Sequence, residues 1–176
     1  MDGELTEKLK KIRILALDVD GVLTNGQAFY GTDGFEGLFF NVQDGSGIKY
    51  LQRHGVKIGI ITGRSVEAVN SRARVLEIDL LYQGAKVKVE AYDRLKQDSG
   101  FDDEQIAFVG DDLTDIPVLR RVGLPLAVAN ARPDVKDVAQ YVTQTPGGEG
   151  AVREIAEMIL KAQGSWQKVL SRYFDD

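Results

Sequence analysis

Leu15–Ala16–Leu17–Asp18–Val19–Asp20–Gly21–Val22–Leu23–Thr24 is the stretch whose reading decides the fold of this chain. An apolar run from Ile12 to Leu17, broken only by Arg13, ends in two carboxylates one residue apart, and a glycine follows at once. A near-continuous apolar run marks a parallel strand covered on both faces. Carboxylates at the end of such a strand are costly unless paired or bound to a metal. The C-terminal ends of parallel strands are also where open α/β sheets bind ligands. A lone Asp-Gly reads as an ordinary turn. Asp-x-Asp-Gly-Val-x-Thr after a buried strand reads as a site.

Outward from this stretch, strands and helices alternate. Glu4 to Lys11 reads as a short amphipathic helix leading into the first strand. Ala28–Phe29–Tyr30 and Leu38–Phe39–Phe40, carrying four of the chain's thirteen phenylalanines and tyrosines, flank Gly31–Thr32–Asp33–Gly34 and predict a β-hairpin over about 26–42. So aromatic a hairpin is expected to meet another subunit. Asp44–Gly45–Ser46–Gly47 reads as a loop with Asp44 capping a helix over about 48–54, which Gly55 closes. Val56–Ile61 is a second buried strand. Ser65 is placed as the cap of a helix over 66–76. A strand at 79–82, a helix over 86–99, a buried strand at 106–109, a helix opened by Pro117, a strand at 125–128, a short helix at 133–139 and an edge strand at 141–143 follow. A helix over 151–162 and a docked tail, about 164–176, complete the chain. The alternation predicts a doubly wound, mainly parallel α/β sheet with a hairpin insert and no large cap, one domain over 1–176.

Composition limits the chemistry. Hydrophobic content of 43% and charged content of 28% suit a soluble globular protein. A net charge of −5 argues against nucleic acid as partner, because phosphate-backbone binding needs a basic footprint. With no cysteine and only His54, thiolate chemistry and multi-histidine metal sites are excluded. No run approaches a membrane span, and the charged Met1–Lys11 is unlike a signal peptide, so a cytoplasmic location is expected.

Four strand ends carry polar groups that packing does not require: Asp18 and Asp20; Thr62, Gly63 and Arg64; Lys88 just past Gly84; and Asp111, Asp112 and Asp115. In a parallel sheet they lie on one edge and can converge on one crevice. Hard oxygen ligands without histidine or thiolate select Mg²⁺. Carboxylates gathered with a metal and a lysine suit phosphoryl transfer, where positioning and charge neutralisation dominate. One carboxylate of the Asp18/Asp20 pair can attack phosphorus while the other moves the proton.

Asp18-Val-Asp-Gly-Val-Leu-Thr24, Thr62-Gly-Arg64, Lys88 and Gly110-Asp-Asp-x-x-Asp115 resemble the four motifs of the haloacid dehalogenase superfamily, in order and on the expected strand ends. The hairpin, Phe40-Asn-Val-x-Asp-Gly-x-Gly-Ile-Lys49, Ile60-Ile-Thr-Gly-Arg64, Leu81-Tyr-Gln-Gly84 and Gly147-Gly-x-Gly-Ala-Val-Arg-Glu154 are similar to its small capless branch that hydrolyses phosphorylated sugar acids. The likeness covers roughly 11–163. It implies Asp18 as nucleophile, and Asp20 as general acid/base that also gives its backbone carbonyl to Mg²⁺. It implies Asp111 as a further metal contact supported by Asp112 or Asp115, and Thr62, Gly63 and Arg64 beside the phosphate. Lys88 would hold both the phosphate and the Asp18 carboxylate. The resemblance also implies a homotetramer whose hairpins complete neighbouring active sites, and an eight-carbon sugar acid phosphate as substrate. The branch often has lysine where this chain has Leu38, which leaves a nine-carbon acid as the alternative. A receiver-like phospho-acceptor module also uses Asp, Thr and Lys on a wound sheet, but it places its paired acids and its acceptor in a different order. Arg153 is weighed between the site mouth and a helix-surface pair with Glu149 or Glu157.

Overall fold

The computed structural model describes residues 3–174. In chain order the elements are α1 (Gly3–Lys11), β1 (Ile14–Leu17), β2 (Ala28–Tyr30), β3 (Glu36–Leu38), α2 (Val42–Arg53) and β4 (Lys57–Ile61). They continue as α3 (Glu67–Leu76), β5 (Leu80–Tyr82), α4 (Lys88–Ser99), β6 (Ile106–Gly110), α5 (Ile116–Leu119) and β7 (Leu124–Ala127). The last are α6 (Pro133–Val138), β8 (Tyr141–Val142), α7 (Ala151–Ala162) and α8 (Trp166–Phe174).

Six strands form one sheet in the order β5-β4-β1-β6-β7-β8, every neighbouring pair parallel. The chain starts at the centre, moves out to one edge, returns and moves out to the other. That reversal, between β1 and β6, creates the crevice in which doubly wound sheets bind ligands. β1 and β6 are buried at every position, which is why both read as unbroken apolar runs. Leu17 pairs with Ile60 on one side and Val109 on the other, so the three central strands end level. The Asp18 N–H extends the ladder by donating to Val109 O at 3.1 Å.

Helices cover both faces. α7 turns Ala151, Val152, Ile155, Ala156, Ile159 and Leu160 inward, a stripe at helical spacing, and packs on α1, α2 and α8. α4, α5 and α6 form the other contiguous set. The hairpin β2–β3 stands outside the sheet as an antiparallel pair, with Phe29, Tyr30, Phe35 and Phe39 more than half exposed. The tail does dock: α8 buries Val169 and sets Trp166 and Tyr173 edge-on to Tyr50, ring centres 6.4 and 6.2 Å away. Among the described residues no helix is long and apolar enough to cross a membrane.

Three local expectations need correction. α2 begins at Val42, so Asp44–Gly47 is helix and not loop. Glycine lowers helix propensity, but tertiary contacts decide here. A Cβ at Gly47 would press on the Arg153 backbone and one at Gly45 on the Arg72 guanidinium, so both glycines let α2 pack closely. Asp44 does not cap its own helix; Asn41 does, accepting from the N–H groups of Gln43 and Asp44 at 2.7 and 3.3 Å. The buried Asp44 carboxylate instead accepts from Arg153 N–H at 2.8 Å, at the start of α7. Ser65 is likewise no cap: α3 starts at Glu67, and the Val66 N–H donates to Gln83 Oε1 at 2.9 Å from across the loop.

Candidate active site

The chain leaves β1 through a turn that sequence and sterics jointly enforce. Asp20 (φ −71°, ψ 115°) and Gly21 (φ 86°, ψ −10°) take the two central positions of a type II turn, the second of which favours glycine. A Cβ at Gly21 would also collide with the Asp111 carboxylate. Thr24 locks the turn from inside: its buried hydroxyl donates to Val19 O at 3.2 Å and accepts from Gly21 N–H at 3.3 Å and Gly26 N–H at 3.2 Å. Asn130, just past β7, staples the turn to the Gly147–Gly150 loop. Its Nδ2 donates to Gly21 O at 3.2 Å and its Oδ1 accepts from Gly147 N–H at 2.7 Å.

The structure brings Asp18, Lys88, Asp111 and Asp115 together. Lys88 opens α4 and turns inward until Nζ lies 2.8 Å from Asp18 Oδ1 and 2.6 Å from Asp115 Oδ1, all three side chains at most 7% exposed. Lys86 is exposed and takes no part. Asp115 is the hub of its loop: Oδ2 accepts from the N–H groups of Asp111 and Asp112 at 3.0 and 3.2 Å. Asp112 is exposed and caps the short helical turn, accepting from Leu113 N–H at 2.8 Å. Thr62 and Gly63 follow β4 on the same edge. Thr62 is buried, and its hydroxyl accepts from Arg64 N–H at 3.3 Å. Arg64 lies on Asp20, Nη1 to Oδ1 2.9 Å, with Glu36 and Tyr30 of the hairpin against its other terminal nitrogen. Arg153 pairs with Glu157 at 2.9 Å and stacks on Tyr50 and Trp166, away from this cluster. Lys49 pairs with Glu77 and His54 Nδ1 lies against Tyr50 O, both of them helix-surface roles.

The electrostatics leave room for a cation. Carboxylate oxygens of Asp18, Asp111 and Asp115 lie within 4.8 Å of one another. Burial, helped by Asp115 and opposed by Lys88, pushes the Asp18 carboxyl up to about 8. Burial and then Asp115 push Asp111 up to about 6. Burial works against the Lys88 charge, but the two carboxylates outweigh it and hold the ammonium above its usual value. Both Asp115 oxygens are engaged, whereas Asp111 Oδ1 is buried with no hydrogen-bond partner. An orphaned carboxylate oxygen beside a second carboxylate, in an all-oxygen donor set, fits Mg²⁺. Asp18, through the oxygen that Lys88 leaves, and Asp111, through Oδ1, are the side chains of this set that could hold it. Asp20 has one carboxylate oxygen, Oδ1, paired with Arg64.

Sequence reading missed Asn130 and Glu36. Asn130 stands at a strand end, the signal used for the other site residues. Glu36 needs the hairpin register to be known.

A family model for haloacid dehalogenase-like hydrolases matches residues 81–155. The chain is 43% identical to the 3-deoxy-D-manno-octulosonate 8-phosphate phosphatase of Escherichia coli K12 over 164 residues, 93% of this chain and 87% of that one. It superimposes on the crystal structure of a probable YrbI family phosphatase from Pseudomonas syringae with a TM-score of 0.96, at 44% identity and 99% coverage of both chains. The corresponding phosphatase of Moraxella catarrhalis, solved with magnesium, phosphate and KDO, matches with a TM-score of 0.95, at 38% identity, over 98% of this chain and 99% of that one. The chain belongs to the 3-deoxy-D-manno-octulosonate 8-phosphate phosphatase family, within the haloacid dehalogenase-like hydrolases.

Proposed function

We propose that this protein is a Mg²⁺-dependent phosphomonoesterase that hydrolyses 3-deoxy-D-manno-octulosonate 8-phosphate to the free sugar acid, KDO, and phosphate. The observation that carries the reading is the buried Asp18–Lys88–Asp115 array beside Asp111 at the switch point of the sheet. Family membership supplies the substrate. The receiver-like alternative falls with that membership, and the eight-carbon acid is favoured over the nine-carbon one because the named relatives act on it.

In this reading an Asp18 oxygen attacks phosphorus, and the bond to the sugar's C8 oxygen breaks. That oxygen leaves with the proton of Asp20. Asp20 then takes a proton from water, whose oxygen attacks the aspartyl-phosphate, and phosphate leaves with Asp18 restored. Lys88 holds the Asp18 carboxylate in place and offsets charge on the transferring group, while Thr62 and the N–H groups around Gly63 bind the phosphate. Mg²⁺ held by Asp18, Asp111 and the Asp20 carbonyl supplies the neutralisation that lets an anionic ester approach clustered carboxylates.

Two further parts belong to the proposal. The exposed aromatic hairpin is the contact that builds a homotetramer and completes neighbouring sites. The reaction runs in the cytoplasm, since the substrate is too highly charged to cross a bilayer unaided. The test is Mg²⁺-dependent phosphate release from an aryl phosphate and from a panel of eight- and nine-carbon sugar acid phosphates. Asp18→Asn is expected to abolish turnover of all of them; near-normal turnover by that variant would sink the nucleophile assignment.

A further inference from the structure

The hairpin is joined to the catalytic edge through one guanidinium. Strand register sets Tyr30 opposite Glu36 across β2 and β3, and directly opposed residues of an antiparallel pair present their side chains on one face. That face meets Arg64. Its Nη2 ion-pairs with Glu36 and donates to the Tyr30 hydroxyl at 3.4 Å, while Nη1 pairs with Asp20 Oδ1 at 2.9 Å. The side chains of Arg64, Asp20 and Glu36 are 32%, 32% and 26% exposed, so water competes only in part for these contacts. The Arg64 backbone is committed elsewhere, its N–H to Thr62 Oγ1 and its carbonyl to Gly84 N–H, and these bonds leave the side-chain torsions free.

A guanidinium is a rigid planar fork, so its two ends cannot be aimed independently. With Nη2 held on the hairpin, only Nη1 reaches Asp20, and it occupies Oδ1. The other carboxyl oxygen, Oδ2, is left outside the guanidinium contact. Without the Glu36 charge the fork is free to turn and close on both Asp20 oxygens, the bidentate arrangement that arginine and carboxylate favour. That closure engages the second oxygen as well, so neither is left open to a substrate.

We propose that Glu36 is a positioning residue for proton transfer: it aims Arg64, and Arg64 leaves one oxygen of Asp20 free to protonate the departing sugar oxygen. The inference rests on the reading of Asp20 as the acid. It assigns the hairpin a part in the chemistry of its own chain, separate from any contact between subunits.

The test compares kcat/KM for wild type, Glu36→Gln and Glu36→Asp on two esters, because kcat/KM reports only steps up to phosphoryl transfer. A nitrophenolate departs unprotonated, whereas the alkoxide of 3-deoxy-D-manno-octulosonate 8-phosphate needs a proton. A fully placed general acid contributes ~10²–10⁴-fold, so Glu36→Gln is expected to lose about tenfold on the sugar phosphate and stay within about twofold on 4-nitrophenyl phosphate. Glu36→Asp, which keeps the charge, is expected to recover most of the loss. Equal losses on both esters would reduce Glu36 to a structural part of the hairpin. No loss on either, or a gain on the sugar phosphate, would also overturn the proposal. A wild-type protein that cleaves neither ester would instead remove the phosphatase reading on which it rests.

Discussion

Lys88→Met puts the charge balance of the site to a quantitative test. Lys88 Nζ is the cation shared by Asp18 and Asp115, 2.8 and 2.6 Å away, with almost no solvent at any of the three. Methionine preserves the unbranched length and removes the charge. At neutral pH the metal-free variant loses two charge-assisted hydrogen bonds and keeps their acceptors buried, a cost of about 2–4 kcal/mol. For a chain of this size that lowers Tm by roughly 5–15 °C. The pH dependence is more specific. Asp18 has its ordinary value of 3.8 unfolded and about 8 folded, so between these values the folded state holds a proton that the unfolded state has released. Stability therefore falls as pH rises through that window, in wild type and variant alike. Above pH 8 the wild-type contribution levels off. Lys88 lowers the Asp18 value, so without it the folded value climbs and the variant continues to lose about 1.4 kcal/mol per pH unit. Thermal unfolding in EDTA from pH 6 to 9.5 should show a constant gap between the proteins at first, which then widens by several degrees above pH 8. A gap that stays the same at pH 9.5 as at pH 6 would refute the account.

Mg²⁺ should raise Tm, by about 3 kcal/mol of stability at 100 times its Kd. The rise should be larger at pH 8–9 than at pH 5, because protons on Asp18 and Asp111 compete with the metal on the acid side; calorimetry at the two pH values checks this. Gly21→Ala forces a side chain into left-handed backbone at about 1–2 kcal/mol and drives Cβ into the Asp111 carboxylate. It should lower Mg²⁺ affinity and phosphatase activity by far more than its modest loss of Tm. Phe29→Ser with Phe39→Ser removes more than half-exposed rings, so the monomer's stability should change by only about 0.5 kcal/mol at each position. Light scattering should show the proposed tetramer giving way to smaller species, and an unchanged mass would count against the hairpin as the subunit contact.

The sheet was legible in the sequence because each central strand is an apolar run, led in β4 by the exposed Lys57, that stops abruptly at a carboxylate, a threonine or a glycine. Every residue placed on the catalytic edge from that pattern does follow a strand of the sheet or open the helix after it. What the pattern could not supply was anything set by contact between distant segments. Gly45 and Gly47 look like loop residues until Arg72 and Arg153 fill the space that side chains would have taken. Asp44 looks like a cap for its own helix until α7 arrives to present Arg153 N–H. Asp115 reads as one of three similar acids, and only the folded loop shows both its oxygens occupied while Asp111 keeps one bare. The pairing of Tyr30 with Glu36 depends on the register of one short hairpin, which composition does not fix.

The Asn130 staple ties the order of synthesis to the onset of activity. Asp18 and Asp20 emerge early, yet the turn that holds them is fastened to Asn130 and Gly147, more than a hundred residues downstream. At about 5–20 residues per second, some 6–25 s separate the appearance of Gly21 from that of Gly147. Until then the nascent chain carries Asp18 and Asp20 without the clamp that shapes the turn around them. A ribosome stalled before residue 147 would thus display the first motif of a phosphatase and no assembled site.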